Sequence, residues 1–325
     1  MRAFVTGGTG FVGSHVVEAL LASSTYKEVR CLVRKHEKWL SGKPYTRING
    51  NLFDLKTIAD ALENVDVIFH IAGLVRAQSS KEFKKANVEA TEHLIRMAQK
   101  KNITNIIILS SLAAVGPSDG TPLTENDLCK PISMYGKSKM EMENSIQRIA
   151  RENDSIKIIR PPAVYGPRET DIFTIFKTMK MGIFPMVGNG NHPKISMVYV
   201  SDLVEGILKS AFETNPGIHT FFMGGNSTRY SWNEIRIASN SAFKKNTIPI
   251  KLKPIWVKKI ATLVEGIASL FGKYPVLNKE KANEMLHEWI CSSEKAKEIL
   301  HYSPSTSLEE GITETIKWYK NHNWL

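Results

Sequence analysis

The apolar positions of this chain change their period repeatedly. Ala3-Phe4-Val5 is a short continuous apolar run, and Val12, Val16, Val17, Leu20 and Leu21 then recur at helical spacing. A buried strand therefore feeds a helix across the glycine-rich stretch Thr6-Gly7-Gly8-Thr9-Gly10-Phe11-Val12-Gly13. Strands are predicted at about 2–6, 28–33, 46–49, 66–71, 105–110 and 156–160, with helical stretches between them. This alternation predicts an α/β fold, a parallel sheet with helices on both faces. After Pro161-Pro162 the rhythm loosens. Residues 1–160 are expected to form the first domain and 161–325 mainly a smaller C-terminal domain. A strand and helix near 196–212 read as returning to the first domain. A late helix begins at Ser307-Leu308-Glu309-Glu310, where a serine cap and an acidic first turn suit a helix start.

One further helical stretch carries a long apolar stripe. Between Ile255 and Phe271, residues Trp256, Ile260, Leu263, Val264, Ile267, Leu270 and Phe271 share a side, with Lys258, Lys259, Thr262 and Glu265 elsewhere. The segment is too charged to span a bilayer. Packing on the C-terminal domain is the favoured reading, and contact with a membrane surface is the alternative.

Composition narrows the class. The chain has 325 residues, enough to bury a large core, and its 42% hydrophobic and 23% charged residues suit a soluble globular protein. Cys31, Cys129 and Cys291 are an odd number without metal-ligand spacing, so free thiols in a reducing compartment are expected and no metal site is. The N-terminal apolar run is broken by glycines and its helix contains His15 and Glu18, which does not read as a signal peptide. A cytoplasmic protein is expected. The formal net charge of +11 comes from scattered lysines, not from a run interleaved with aromatics, so no nucleic-acid partner is expected.

Two segments carry chemistry. The glycines Gly7, Gly10 and Gly13 permit a tight turn, and the backbone N–H groups that open the helix at Phe11 and Val12 can meet a pyrophosphate at its positive end. Tyr135 and Lys139 lie four residues apart, one helical turn on one face, where a cation favours the phenolate. Ile106 to Leu109 is an apolar strand ending in Ser110-Ser111, and hydroxyls at that edge of an α/β sheet face the ligand crevice.

Together with His70-Ile71-Ala72-Gly73, Asn87-Val88-Glu89-Ala90-Thr91 and Arg160-Pro161-Pro162-Ala163-Val164-Tyr165-Gly166-Pro167-Arg168, these segments appear in the order seen in the extended short-chain dehydrogenase/reductases, and the chain resembles that superfamily over nearly its whole length. The resemblance implies a Rossmann-type domain binding NAD(P), a C-terminal substrate domain, and a catalytic Ser–Tyr–Lys set. Ser111, five residues before Gly116, matches the family's serine, which would hydrogen-bond the substrate oxygen. Tyr135 would transfer the proton, and Lys139 would hold the nicotinamide ribose and lower the tyrosine pKa. The same likeness places Asn51 and Leu52 beside the adenine and Ala72 and Gly73 along the ribose and pyrophosphate. It puts Pro162, Ala163 and Val164 against the nicotinamide, and it makes His70 structural. A homodimer pairing through Tyr135 to Ile149 would follow the family's habit.

Cofactor and substrate remain to be chosen. The second strand ends Val33-Arg34-Lys35 where an NAD-preferring site carries an acid, and Glu28 opens that strand at the wrong end. Arg34 suits a 2′-phosphate, so NADP(H) is favoured over NAD(H). Nucleotide-sugar members of the family commonly hold an asparagine where this chain has Ala163, and an arginine near the position of Ile195. Arg168 and Lys194 are nearby and could compensate. Several segments are similar to the 3β-hydroxysteroid dehydrogenase and dihydroflavonol reductase branch, and Phe173, Phe176, Met179, Met181, Phe184 and Met186 could line an apolar pocket or form plain core. The expectation is an NADP-dependent oxidoreductase acting on a small, relatively apolar carbonyl or secondary alcohol. A nucleotide-sugar epimerase/dehydratase is the alternative, and a non-catalytic dinucleotide sensor the second.

Overall fold

The computed structural model describes residues 1–270, 275 and 277–325. The first half runs β1 (Arg2–Thr6), α1 (Phe11–Ala22), β2 (Glu28–Val33), β3 (Thr46–Asn49), α2 (Leu55–Ala61), β4 (Val67–His70), α3 (Ser80–Phe83), α4 (Ala90–Lys100), β5 (Asn105–Leu109), α5 (Met134–Ile149) and β6 (Ser155–Arg160). The second half continues β7 (Ala163–Tyr165), α6 (Phe173–Lys180), β8 (Ile183–Val187), β9 (Met197–Tyr199), α7 (Val200–Ser210), β10 (Gly217–Phe222), α8 (Trp232–Phe243) and β11 (Ile248–Leu252). It closes with α9 (Pro254–Leu270), α10 (Lys279–Glu284), α11 (Glu294–Leu300) and α12 (Leu308–Asn321).

Seven strands form one sheet in the order β10-β6-β5-β4-β1-β2-β3, and every pairing is parallel. A parallel sheet is covered on both faces, which is why its strands read as continuous apolar runs. One face buries Ala3, Val5, Val29, Phe69 and Ile107 with α1 and α7; the other buries Phe4, Ile68, Ile106, Ile108 and Ile158 with α2, α4 and α5. The stretch after Met197 rejoins the first layer, because Val200, Leu203, Val204 and Ile207 of α7 pack with Val16, Val17 and Leu20 of α1. The seventh strand, β10, was not marked by the sequence pattern. It is an edge strand whose first four residues are only half-buried, so it lacks an apolar run.

A separate core is built from Phe176, Met179, Phe184, Met186, Trp232, Ile235, Val257 and Ile316 of α6, β8, α8, α9 and α12, whereas α11 packs on the first layer through Ala296 and Leu300. The aromatics and methionines that could have lined a pocket are thus largely core, with Met181 exposed. Ser307 caps α12 through a capping box with Glu310. The favoured packing of α9 is realised through Val257 and Ala261, but its apolar stripe is not what packs: Trp256, Leu263 and Ile267 are 55%, 65% and 52% exposed. Phe271 lies outside the described residues, and no helix among the described residues is long and apolar enough to cross a membrane.

Candidate active site

Because the sheet is parallel, the C-terminal ends of its strands share one edge, and the order reverses between β1 and β4. Such a switch point opens a crevice for ligands. Gly7 follows β1 there with φ +75°, and a Cβ on it would stand 2.5 Å from the Ala72 nitrogen in the loop after β4. A Cβ on Gly13 would stand 2.1 Å from the Gly7 carbonyl oxygen, so α1 can approach the turn only with glycine at that position. The Gly10 N–H donates to the Gly7 carbonyl at 3.0 Å. Helix α1 has neither a side-chain cap nor an acidic residue in its first turn. Its opening N–H groups, at Phe11, Val12 and Gly13, lack intrahelical acceptors and suit a pyrophosphate. The donor set and the glycine cradle therefore fit a dinucleotide.

The turn after β4 is held by Asn87. Its Oδ1 accepts from the Leu74 N–H at 2.7 Å, while Nδ2 donates to the Leu74 carbonyl at 3.0 Å and to Ser138 Oγ at 2.9 Å. Ser138 donates in turn to the Tyr135 carbonyl at 2.7 Å. Asn87 sits in a π-helical stretch, residues 84–89, a distortion common at functional sites. One amide thus ties the turn after β4 to the helix carrying Tyr135 and Lys139. Gly73 lies alongside: a Cβ there would stand 3.1 Å from Lys139 Nζ.

Helix α5 starts at a Ser133 cap, whose Oγ accepts the Gly136 N–H at 3.2 Å. A Cβ on Gly136 would stand 2.3 Å from the Ala113 carbonyl oxygen, so this glycine lets α5 close onto the Ser111–Ala114 segment. That approach sets the Ser111 hydroxyl beside the Tyr135 phenol, where it favours the phenolate. Ser110, by contrast, turns inward and donates to Glu143 Oε1 at 2.5 Å. The buried Lys139 ammonium donates to the Leu109 carbonyl at 2.7 Å.

Electrostatics depart from what the Tyr–Lys spacing alone suggests. Burial pushes the Tyr135 phenol up to about 12, and the group that opposes it is the Ser111 hydroxyl. Burial also holds the Lys139 ammonium down, to about 8, against the attraction of Glu143. Desolvation penalises both charged forms and here exceeds the benefit of proximity. His70 is fully buried, with Nδ1 2.6 Å from Thr6 Oγ1 and Nε2 2.8 Å from Thr91 Oγ1. Thr91 gives its own proton to the Asn87 carbonyl, so Nε2–H donates to Thr91 and Nδ1 accepts from Thr6. His70 is a neutral link between β1, β4 and α4.

The other expected contacts follow strand ends on the same edge. Arg34 is exposed directly after β2, beside the exposed Lys35. Asn51 is exposed after β3, with its Oδ1 accepting from the Phe53 N–H at 2.9 Å, and Leu52 packs beneath on the sheet core. Pro162 is buried after β6, and Val164, half-buried in β7, packs against the α1 side of the sheet. Arg168 departs from expectation. Its guanidinium donates to both Glu18 oxygens, at 2.9 and 3.0 Å, and to Ser14 Oγ at 2.9 Å, and it lies over the Trp39 ring. It is thereby held on α1 by Glu18 and Ser14. The sequence reading also overlooked Glu143 and Arg160 as a pair. Glu143 follows Lys139 by one turn, a spacing that was open to inspection.

The fold and this edge define a dinucleotide-binding enzyme of the extended short-chain dehydrogenase/reductase type. The chain belongs to the NAD dependent epimerase/dehydratase family, whose model matches residues 3–220. Among curated relatives, a ceramide reductase of Caulobacter vibrioides is 27% identical over 328 residues, covering 99% of this chain and 95% of the relative. A UDP-glucose 4-epimerase of Vibrio cholerae is 25% identical over 338 residues, covering 98% of this chain and 95% of the relative. Among solved structures, gox2253 aligns with a TM-score of 0.81 at 28% identity, covering 99% of this chain and 98% of that one.

Proposed function

We propose that the chain is an NADP(H)-dependent oxidoreductase that reduces the carbonyl of a relatively apolar substrate, or oxidises the corresponding alcohol. The observation that carries this reading is the convergence of Ser111, Tyr135 and Lys139 at the end of β5 and the start of α5. When bound, the nicotinamide supplies or takes the hydride. The Ser111 hydroxyl donates a hydrogen bond to the carbonyl oxygen, and the Tyr135 phenol gives that oxygen its proton. Lys139 stands beside Gly73 and Asn87, where an ammonium holds ribose hydroxyls and favours the phenolate left on Tyr135.

An apolar substrate is supported at two of the positions where a diphosphate would be held, Lys194 apart. Ala163 offers no amide, and Arg168 is taken by Glu18. The full-length similarity to a ceramide reductase points the same way. The cofactor preference rests on Arg34 and Lys35, which place positive charge after β2 where an acid would repel a 2′-phosphate. The test is NADPH oxidation with a panel of ketones, aldehydes and steroid- or sphingoid-like carbonyl compounds, run beside UDP-sugars assayed for epimers. Oxidation with an apolar carbonyl is expected. Sugar turnover without net cofactor consumption would replace this reading with an epimerase.

A further inference from the structure

We propose that the exposed face of α9 docks the protein on an anionic lipid surface. Trp256, Ile260, Leu263 and Ile267 follow one another at intervals of four, three and four residues, a single stripe over three turns, and all are exposed, with Ile255 beside them. The helix is anchored from another side, by Val257 and Ala261 in the core of the second half of the chain. Large apolar side chains lined up on an exposed helix mark an interaction surface.

Charge selects the occupant. Lys251 and Lys253 lead into the helix and Lys258 and Lys259 lie on it, all exposed. The single acid of α9, Glu265, is engaged by the backbone N–H of Lys279 at 2.8 Å. Lys259 Nζ stands 5.2 Å from the Trp256 ring centre, so its stem runs along the apolar stripe while its charge lies at the edge. An apolar stripe with tryptophan, rimmed by lysines, matches the boundary between acyl chains and anionic headgroups. Beyond Glu265, α10 reaches the catalytic helix, because Glu280 Oε1 accepts the Met134 N–H at 2.9 Å. A docked α9 would thus bring the neighbourhood of Tyr135 to a bilayer. Only that last consequence, a substrate residing in the bilayer, rests on the reductase reading; the docking itself does not.

The test is flotation of the full chain with vesicles of phosphatidylcholine alone or mixed with phosphatidylglycerol, alongside its mass in solution. Binding is expected only with phosphatidylglycerol present, weakening as salt screens the lysines. The exposed double variant Leu263→Glu/Ile267→Glu should lose binding while keeping its melting temperature and its turnover of water-soluble carbonyls. Lys258→Gln/Lys259→Gln should weaken binding on the order of tenfold. No flotation with anionic vesicles, or undiminished flotation of the double glutamate variant, overturns the proposal. So does a self-associated protein that becomes monomeric in that variant, since a second copy would then cover the face. Turnover is scored separately, so a failed docking and a failed reductase assignment give different results.

Discussion

Glu143 and Arg160 form a buried two-point ion pair one helical turn beyond Lys139, with Nη2–Oε2 at 2.5 Å and Nε–Oε1 at 3.1 Å. The pair joins α5 to β6, and Glu143 also accepts the Ser110 hydroxyl. Removing one partner leaves a desolvated charge. Glu143→Gln is therefore expected to lower stability by about 3–5 kcal/mol, read from urea denaturation. Replacing both partners by apolar residues, Glu143→Leu with Arg160→Met, should recover much of the loss. If the double variant is as unstable as the sum of the single ones, the cost does not arise from an unpaired charge.

Tyr135 meets the Ser111 hydroxyl, whereas Lys139 is anchored to the Leu109 carbonyl and faces Gly73. Removing the phenolic hydroxyl should therefore remove the proton donor without disturbing the cofactor cradle. Tyr135→Phe is expected to lower kcat about 10²–10⁴-fold while NADPH affinity, followed by fluorescence titration, stays within twofold to threefold. A variant retaining near-normal turnover would take the proton-transfer role away from Tyr135.

Much of this was legible in sequence because the signals are local. The run Ala3-Phe4-Val5 with Gly7, Gly10 and Gly13 identifies a strand, turn and helix, and the structure supplies the close approaches that require those glycines. What escaped involves partners distant in sequence. Arg160 and Glu143 lie on different elements, and nothing in their local patterns pairs them before the sheet is assembled. Arg168 looks like a free cation until folding places it against Glu18 and Trp39. Periodicity identifies the α9 stripe but not what covers it, and burial instead falls on Val257 and Ala261.

His70 gives the fold a defined acid sensitivity. Burial, with repulsion from Lys139, lowers its pKa from 6.5 to about 3. Between those values the unfolded chain binds more protons than the folded one, so acid favours unfolding. The stabilisation is complete above pH 6.5 and is lost as pH falls toward 3, amounting to about 5 kcal/mol over the window. Carboxylates titrate in the same range, so the informative quantity is a difference. His70→Gln, which retains hydrogen-bonding capacity toward Thr6 and Thr91, should show a shallower fall in unfolding free energy between pH 6.5 and 4. Parallel curves for the two proteins would remove His70 from the acid response.

Arg34 tests the cofactor assignment. It is exposed immediately after β2, on the edge that carries the glycine turn, and Lys35 adds a second positive charge. A guanidinium can engage a 2′-phosphate at two points, while a carboxylate there repels the phosphate and accepts hydrogen bonds from a ribose hydroxyl. Arg34→Asp is accordingly expected to weaken NADPH binding on the order of 10–100-fold, as loss of a charge-assisted contact of about 1.5–3 kcal/mol implies. NADH affinity should rise or stay level. Because the side chain is exposed and lies outside the Ser111–Tyr135–Lys139 cluster, kcat at saturating cofactor should change little. Unchanged NADPH affinity in the variant would mean that Arg34 does not touch the phosphate, and equal affinity of the wild-type protein for both dinucleotides would remove the basis for an NADP preference.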